Sequence, residues 1–221
     1  MFQKEKIYIA GPECFYTGGY NMLAAMRAES IAKGFGVTLP NDHPLDMENP
    51  DLRKRADSIF ADLKAIMLDT TVVIADLEAY RGSEPDSGTI YELGMAYAKG
   101  ARCYGYTRDK RPMVWKDQKY TLKEGKVYDE HGKEAPYKDL PFSPCIIAST
   151  KIAQGDYGDC LKMLMTDIEE EKKYKGLRGY SVDYTAARTY KSDRPVVYLA
   201  GPERYDKDAE EIYKKRKELC A

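Results

Sequence analysis

The sequence predicts an α/β fold: a parallel sheet covered by helices on both faces. Two observations lead there. Four short runs, Lys6–Ala10, Val37–Leu39, Val72–Ala75 and Arg102–Tyr106, alternate with stretches of helical periodicity, the pattern of parallel strands joined by crossover helices. The third run ends on an acid, Asp76, before a turn-rich segment (Gly82, Ser83, Pro85, Asp86, Ser87, Gly88) and then a helical pattern. Strand, acidic loop and helix start is where open α/β sheets place their ligands.

Taken in order, Lys6–Ala10 is a strand closed by Gly11-Pro12, and residues 13–19 form a loop. Met22, Leu23, Met26 and Ile31 recur at helical spacing over residues 20–33, with Gly34 as a C′ stop. Val37–Leu39 follows as a strand, and a loop with three prolines spans residues 40–50. Asp51, an N-cap or first-turn acid, opens a helix through Ile59, Phe60, Leu63, Ile66 and Met67. The central stretch and the Arg102–Tyr106 strand come next. Residues 107–142 are charged, with turn chemistry at Glu124-Gly125 and His131-Gly132, and predict an inserted β-hairpin or lid. An apolar run (Cys145–Ala148) and a helix over residues 157–174 end the first unit, residues 1–174.

Residues 175–221 form a second unit: a Tyr-rich arm, then a strand–helix extension. Val197-Tyr198-Leu199-Ala200-Gly201-Pro202-Glu203 repeats Ile7-Tyr8-Ile9-Ala10-Gly11-Pro12-Glu13. This is either an additional strand using the same turn or the start of a truncated second copy. It lacks any counterpart of the central stretch, so it is assigned no catalysis.

With 221 residues, of which 43% are apolar, the chain can build one large domain with attachments. Thirty-five basic and 36 acidic side chains balance to a net charge of −1, giving no bias toward nucleic acid or anionic membrane. No apolar run approaches a membrane span, and the N-terminus enters a strand without a signal-peptide core, so a cytoplasmic location is expected. The five cysteines are widely spaced, and with two histidines they make a poor metal set. We expect no metal and no cofactor. Nineteen tyrosines against one tryptophan suit either a polar pocket or a subunit interface.

Several acids converge near the carboxyl edge of the sheet. Asp76 ends the third strand, Asp86 lies in the loop, and Glu92 stands at the start of the following helix. The helix dipole and free N–H groups there are expected to keep Glu92 ionised. An ionised carboxylate suits attack on, or stabilisation of, an electron-poor sugar carbon. A structural reading stands beside it: Thr89-Ile90-Tyr91-Glu92 fits a capping box, with the glutamate satisfying only the helix end. Asp86 can serve an Asx turn and Asp76 can be a surface acid. Ser87-Gly88-Thr89 could hold phosphate, but the absence of a nearby lysine and the presence of Asp86 argue against a Walker-type loop.

The blocks IYIAGP, VVIADL and PDSGTIYELGMAYAKG, in that order, resemble the nucleoside 2-deoxyribosyltransferase family over about residues 6–106, with weaker support to Cys160-Leu161. The resemblance implies a flavodoxin-like, doubly wound parallel sheet. It also implies cleavage of the N-glycosidic bond of a 2′-deoxynucleoside, with the deoxyribosyl group passing through a covalent enzyme ester to a second, free nucleobase. On the matching motif Glu92 is the nucleophile, Tyr8 orients it, and Asp62 on the preceding helix helps protonate the base. Asp86 would bind the 5′-hydroxyl, and Asp76 would support the pocket, with Gly11, Pro12, Ser87 and Gly88 lining it.

Related N-glycosidases that hydrolyse 5′-monophosphates carry a serine at the position of Asp86. A carboxylate there repels a phosphate by a few kcal/mol, on the order of the Coulomb energy at an effective dielectric of about 20, so nucleosides are favoured. Hydrolysis, or a non-enzymatic nucleoside or nucleotide sensor, are the alternatives. The family's sites are shared between subunits, so a homo-oligomer is expected. The asparagine that a neighbouring subunit supplies has no match between Arg102 and Ser149, where Ser143 and Cys145 are the nearest candidates.

Overall fold

A computed structural model of the chain describes residues 2, 4–40, 42–116, 119–135, 137–173, 197–201 and 208–219. Five strands form one parallel sheet: β1 (Lys6–Ala10), β2 (Gly36–Thr38), β3 (Val72–Asp76), β4 (Arg102–Thr107) and, after a separate two-stranded sheet β5–β6, β7 (Lys151–Gln154). Their spatial order is β2-β1-β3-β4-β7, all parallel. This is the flavodoxin-like, doubly wound order, in which the winding reverses between β1 and β3 and opens a crevice at their carboxyl ends.

Side-chain alternation along the strands builds two cores. Ile7, Ile9, Val72, Ile74, Tyr104 and Tyr106 face α1 (Gly19–Ala32) and α5 (Tyr157–Lys173), which contribute Leu23, Leu161, Leu164 and Ile168. Tyr8, Ala10, Val73, Ala75 and Cys103 face α2 (Leu52–Asp69) and α3 (Ser87–Ala98), which contribute Ile66, Met67, Leu93 and Ala96. Neighbours on one strand therefore serve opposite faces, and this separates the acids at the sheet edge. Asp51 caps α2, its side chain accepting the Arg53 N–H at 2.9 Å.

The expected hairpin is present as β5 (Thr121–Lys123) paired antiparallel with β6 (Lys126–Tyr128). Its two-residue turn puts Glu124 and Gly125 at positive φ, 48° and 77°, as the favoured tight hairpin turns demand. Two elements go beyond the sequence reading. The apolar run Cys145–Ala148 belongs to a short helix, α4 (Pro144–Ser149), with Pro144 in its first turn. The fifth strand follows it as β7.

The strand expected at residues 197–200 does not form. That segment has no ladder partner among the described residues, and Tyr198 is 89% exposed. Among the described residues, then, the motif repeat has no sheet edge to pair with. The closing helix is present as α6 (Ala209–Leu219), with no buried residue. The Tyr-rich arm, Pro202 and Glu203 lie outside the described residues.

Candidate active site

The carboxyl end of β1 delivers Tyr8, which is fully buried on the α2/α3 face. Its hydroxyl donates to Glu92 Oε1 at 2.8 Å, and Glu92 Oε2 has no hydrogen-bond partner among the described residues. Burial keeps the Tyr8 phenol protonated far above its ordinary range, and the Glu92 charge adds to this. Tyr8 is thus a fixed donor.

The start of α3 corrects the capping expectation. Asp86, not Thr89, is the N-cap: its Oδ2 accepts the Thr89 N–H at 2.9 Å and the Thr89 hydroxyl at 3.2 Å. Ser87 and Gly88 are the exposed first two residues of the helix. Glu92 therefore lies in the second turn, past the free N–H groups, and caps nothing. Nor does the helix end hold it ionised. Burial pushes its carboxyl up to about 7, the Tyr8 hydrogen bond opposes that, and the charges of Asp86 and Glu13 reinforce it.

On α2, Asp62 is 12% exposed, and its Oδ1 lies 2.5 Å from Nδ1 of His43, in the loop after β2. The Asp62 charge reaches Tyr8, so Asp62, Tyr8 and Glu92 share one side of the sheet edge. After β1, Gly11 and buried Pro12 lead into a 3-10 turn, Pro12–Phe15. Within it, Cys14 is in electrostatic reach of Glu92, Glu13 and Asp86. Burial pushes the Cys14 thiol up, leaving it protonated. Phe15 and Tyr16 meet Tyr80, with ring centroids 6.2 and 6.0 Å apart.

Asp76 turns to the other face of the sheet, and Gly11 lies against it and Glu13. It follows Ala75 on β3 and so faces α1 and α5, lining a cavity with Met26, Tyr106 and Tyr157. There its Oδ1 accepts the Glu78 N–H at 2.8 Å. Its neighbour is Glu13, whose Oε1 accepts the Tyr106 hydroxyl at 2.9 Å. Sequence reasoning passed over Glu13, His43, Tyr106 and Cys14. Only Glu13 left a trace, as the last letter of the repeated Ala-Gly-Pro-Glu.

The arrangement brings together a carboxyl held by a phenol, a second acid in contact with a histidine, and aromatic rings nearby. The family model described as nucleoside 2-deoxyribosyltransferase matches residues 7–160. The chain belongs to the nucleoside 2-deoxyribosyltransferase family.

Among solved structures, a 2-desoxiribosyltransferase from Leishmania mexicana shares 24% identity with this family member. That match has a TM-score of 0.53 and covers 73% of this chain and 97% of the other. A conserved protein from Enterococcus faecalis V583 shares 21% identity over 74% of this chain and 98% of its own, with a TM-score of 0.46. Comparison with curated protein sequences gives no match. No described helix of this transferase-family chain is long and apolar enough to cross a membrane.

Proposed function

We propose that this protein cleaves the N-glycosidic bond of 2′-deoxynucleosides and transfers the deoxyribosyl group to a second nucleobase through an ester on Glu92. The observation that carries this reading is the 2.8 Å bond from Tyr8 to Glu92 Oε1. It fixes one carboxylate oxygen and leaves Oε2 to attack. In the first half-reaction Oε2 bonds to C1′ as the C1′–N bond breaks, and the departing base takes a proton from the Asp62–His43 pair. In the second half-reaction the nitrogen of an incoming base bonds to C1′, the ester C–O bond breaks, and the proton returns to that pair. Asp86, at the mouth of α3, accepts a hydrogen bond from the sugar 5′-hydroxyl. Phe15, Tyr16 and Tyr80 offer ring faces to the base. Support comes from the family membership and from the convergence of Tyr8, Glu92 and Asp62.

The test is incubation with a deoxynucleoside, with and without a free acceptor base. New nucleoside is expected with acceptor, along with a protein mass increased by one deoxyribosyl unit when acceptor is withheld. Glu92→Ala should remove the adduct and lower turnover by at least about a thousandfold. Free sugar released at the same rate with or without acceptor would assign hydrolysis instead. Binding without turnover, unchanged in the Ala variant, would assign a sensor.

A further inference from the structure

The reaction outlined above uses neither Glu13 nor Asp76, yet these two acids occupy the crevice where β1 and β3 diverge. Glu13 is wholly buried. Its Oε1 accepts from Tyr106, while its Oε2 meets no N–H or O–H donor among the described residues. The Asp76 side chain lies next to it, both acids lining one cavity beside Gly11. Gly11 makes the approach possible: a Cβ there would stand 2.0 Å from Glu13 Oε2 and 3.1 Å from Asp76 Cβ. Two carboxylates this close, buried away from a cation, do not both ionise. One proton between them turns repulsion into a hydrogen bond and supplies the orphaned oxygen with its partner.

Among the described residues no cation forms an ion pair with either acid. Tyr106 from β4, the backbone N–H of Glu13 itself and the Glu78 N–H after β3 are the neutral donors. The charges of Glu78 and, across the sheet, Glu92 add negative potential. Cys14 and Tyr16 in the Pro12–Phe15 turn and its cap are thiol and phenol, both pushed toward the protonated form. Across a cavity of 530 Å³, α1 presents Glu29, α5 presents Tyr157 and Lys162, and Asp156 lies just before α5. The cations on its rim, Lys162 and Arg108, are exposed, and Lys162 pairs with Asp159 at 3.1 Å.

We propose that Glu13 is a positioning residue: one proton shared with Asp76 pins the Pro12–Phe15 turn to the sheet edge, and its loss in alkaline solution loosens that turn and weakens deoxynucleoside binding. The turn carries Cys14, beside Glu92, and Phe15, against Tyr80. Losing the proton to solvent leaves two carboxylates in contact, and their repulsion acts directly on the turn. Burial raises the proton affinity of both acids, consistent with a proton retained at neutral pH.

The binding effect rests on the reading of Glu92 as the sugar-transfer site; the effect on the turn does not. The test therefore follows amide hydrogen exchange of residues 11–18 in the full chain, corrected for intrinsic rates, from about pH 6 to about pH 9. Protection in the wild type should fall about tenfold across that range. In Glu13→Gln the amide keeps both bonds without a proton to lose, so protection should stay level. In parallel, KM for a deoxynucleoside should rise about fivefold with pH in the wild type and stay flat in the Gln variant, with kcat changing alike in both. Should the Gln variant fail to fold, Asp76→Asn removes the same proton from the other side, and exchange is read there. Exchange that is independent of pH in the wild type, or a variant that follows the wild type, overturns the proposal. If neither protein turns over deoxynucleosides, the transferase reading falls while the exchange arm still decides this one.

Discussion

The hydrogen bond from the Tyr8 phenol to Glu92 competes with burial for control of the charge on that carboxyl. Burial favours the neutral acid, the phenol favours the carboxylate, and the outcome lies near 7. A nucleophile must be ionised, so activity should rise with pH through that value. Removing the donor should push the carboxyl higher still. Tyr8→Phe is expected to move the acid limb of the kcat/KM profile upward by about one pH unit and to lower neutral-pH kcat about tenfold, with recovery in base. A limb that stays in place, measured over the full profile, would remove Tyr8 from the mechanism.

At the scale of elements, α3 begins on the residue assigned to bind the sugar. Asp86 holds Thr89 through two bonds, so its removal damages the helix and the pocket together. Alanine should cost about 1 kcal/mol of stability through the lost cap. Serine retains a capping oxygen but does not reach as far. Asp86→Ser should therefore melt near the wild type while KM for a deoxynucleoside rises about tenfold. An unchanged KM would leave Asp86 a cap and nothing more. The β5–β6 insertion is a second such element. Its leading segment places Lys116 under the influence of Glu84 and Glu78 in the loop before Asp86, with Lys116 Nζ donating to the Pro141 carbonyl at 3.0 Å. Transfer requires water to be kept from the ester until a base arrives. Excising residues 119–135 should lower the ratio of transfer to hydrolysis, as product analysis with limiting acceptor would show; an unaltered ratio rules the hairpin out as a cover.

For the whole molecule, three acids act together, two of them buried and Glu92 partly so. Glu92, Asp76 and Glu13 all hold protons more tightly when folded than their ordinary carboxyl values allow. For Asp76 and Glu92 the contribution to stability is complete below about pH 4 and is lost as pH rises through about 7, and the upward shift of Glu13 acts in the same direction. Asp109, held down to about 2 by Arg111, works in the opposite sense at lower pH, but it is only partly covered and solvent screens it. Calorimetry should show Tm falling from about pH 5 to about pH 8, and Glu92→Gln should reduce that fall. A Tm that climbs over this range would contradict the assignment.

Much of this architecture was legible in the sequence, because α2, α3 and four strands have apolar patterns long enough to declare themselves. β7 was not, since Lys151–Gln154 opens on a charge and has only Ala153 fully buried, while the more apolar run before it folds as helix. At the site, Asp86-x-x-Thr89 and Thr89-x-x-Glu92 are overlapping capping frames. The choice between them depends on Tyr8, 84 residues from Glu92 in sequence. No local pattern reports such a contact.

Gly11 has φ 172°, an extended backbone open to any residue, so an alanine there would strain nothing in the chain itself. Its methyl group would instead land where Glu13 and Asp76 meet. For descendants of this sequence, that position is a ratchet on divergence: the acid pair must be dismantled before any side chain can be gained there. The look-alike Gly201, in the later copy of the motif, is exposed. Drift is free to erase one copy of the Ala-Gly-Pro-Glu motif while it is held off the other.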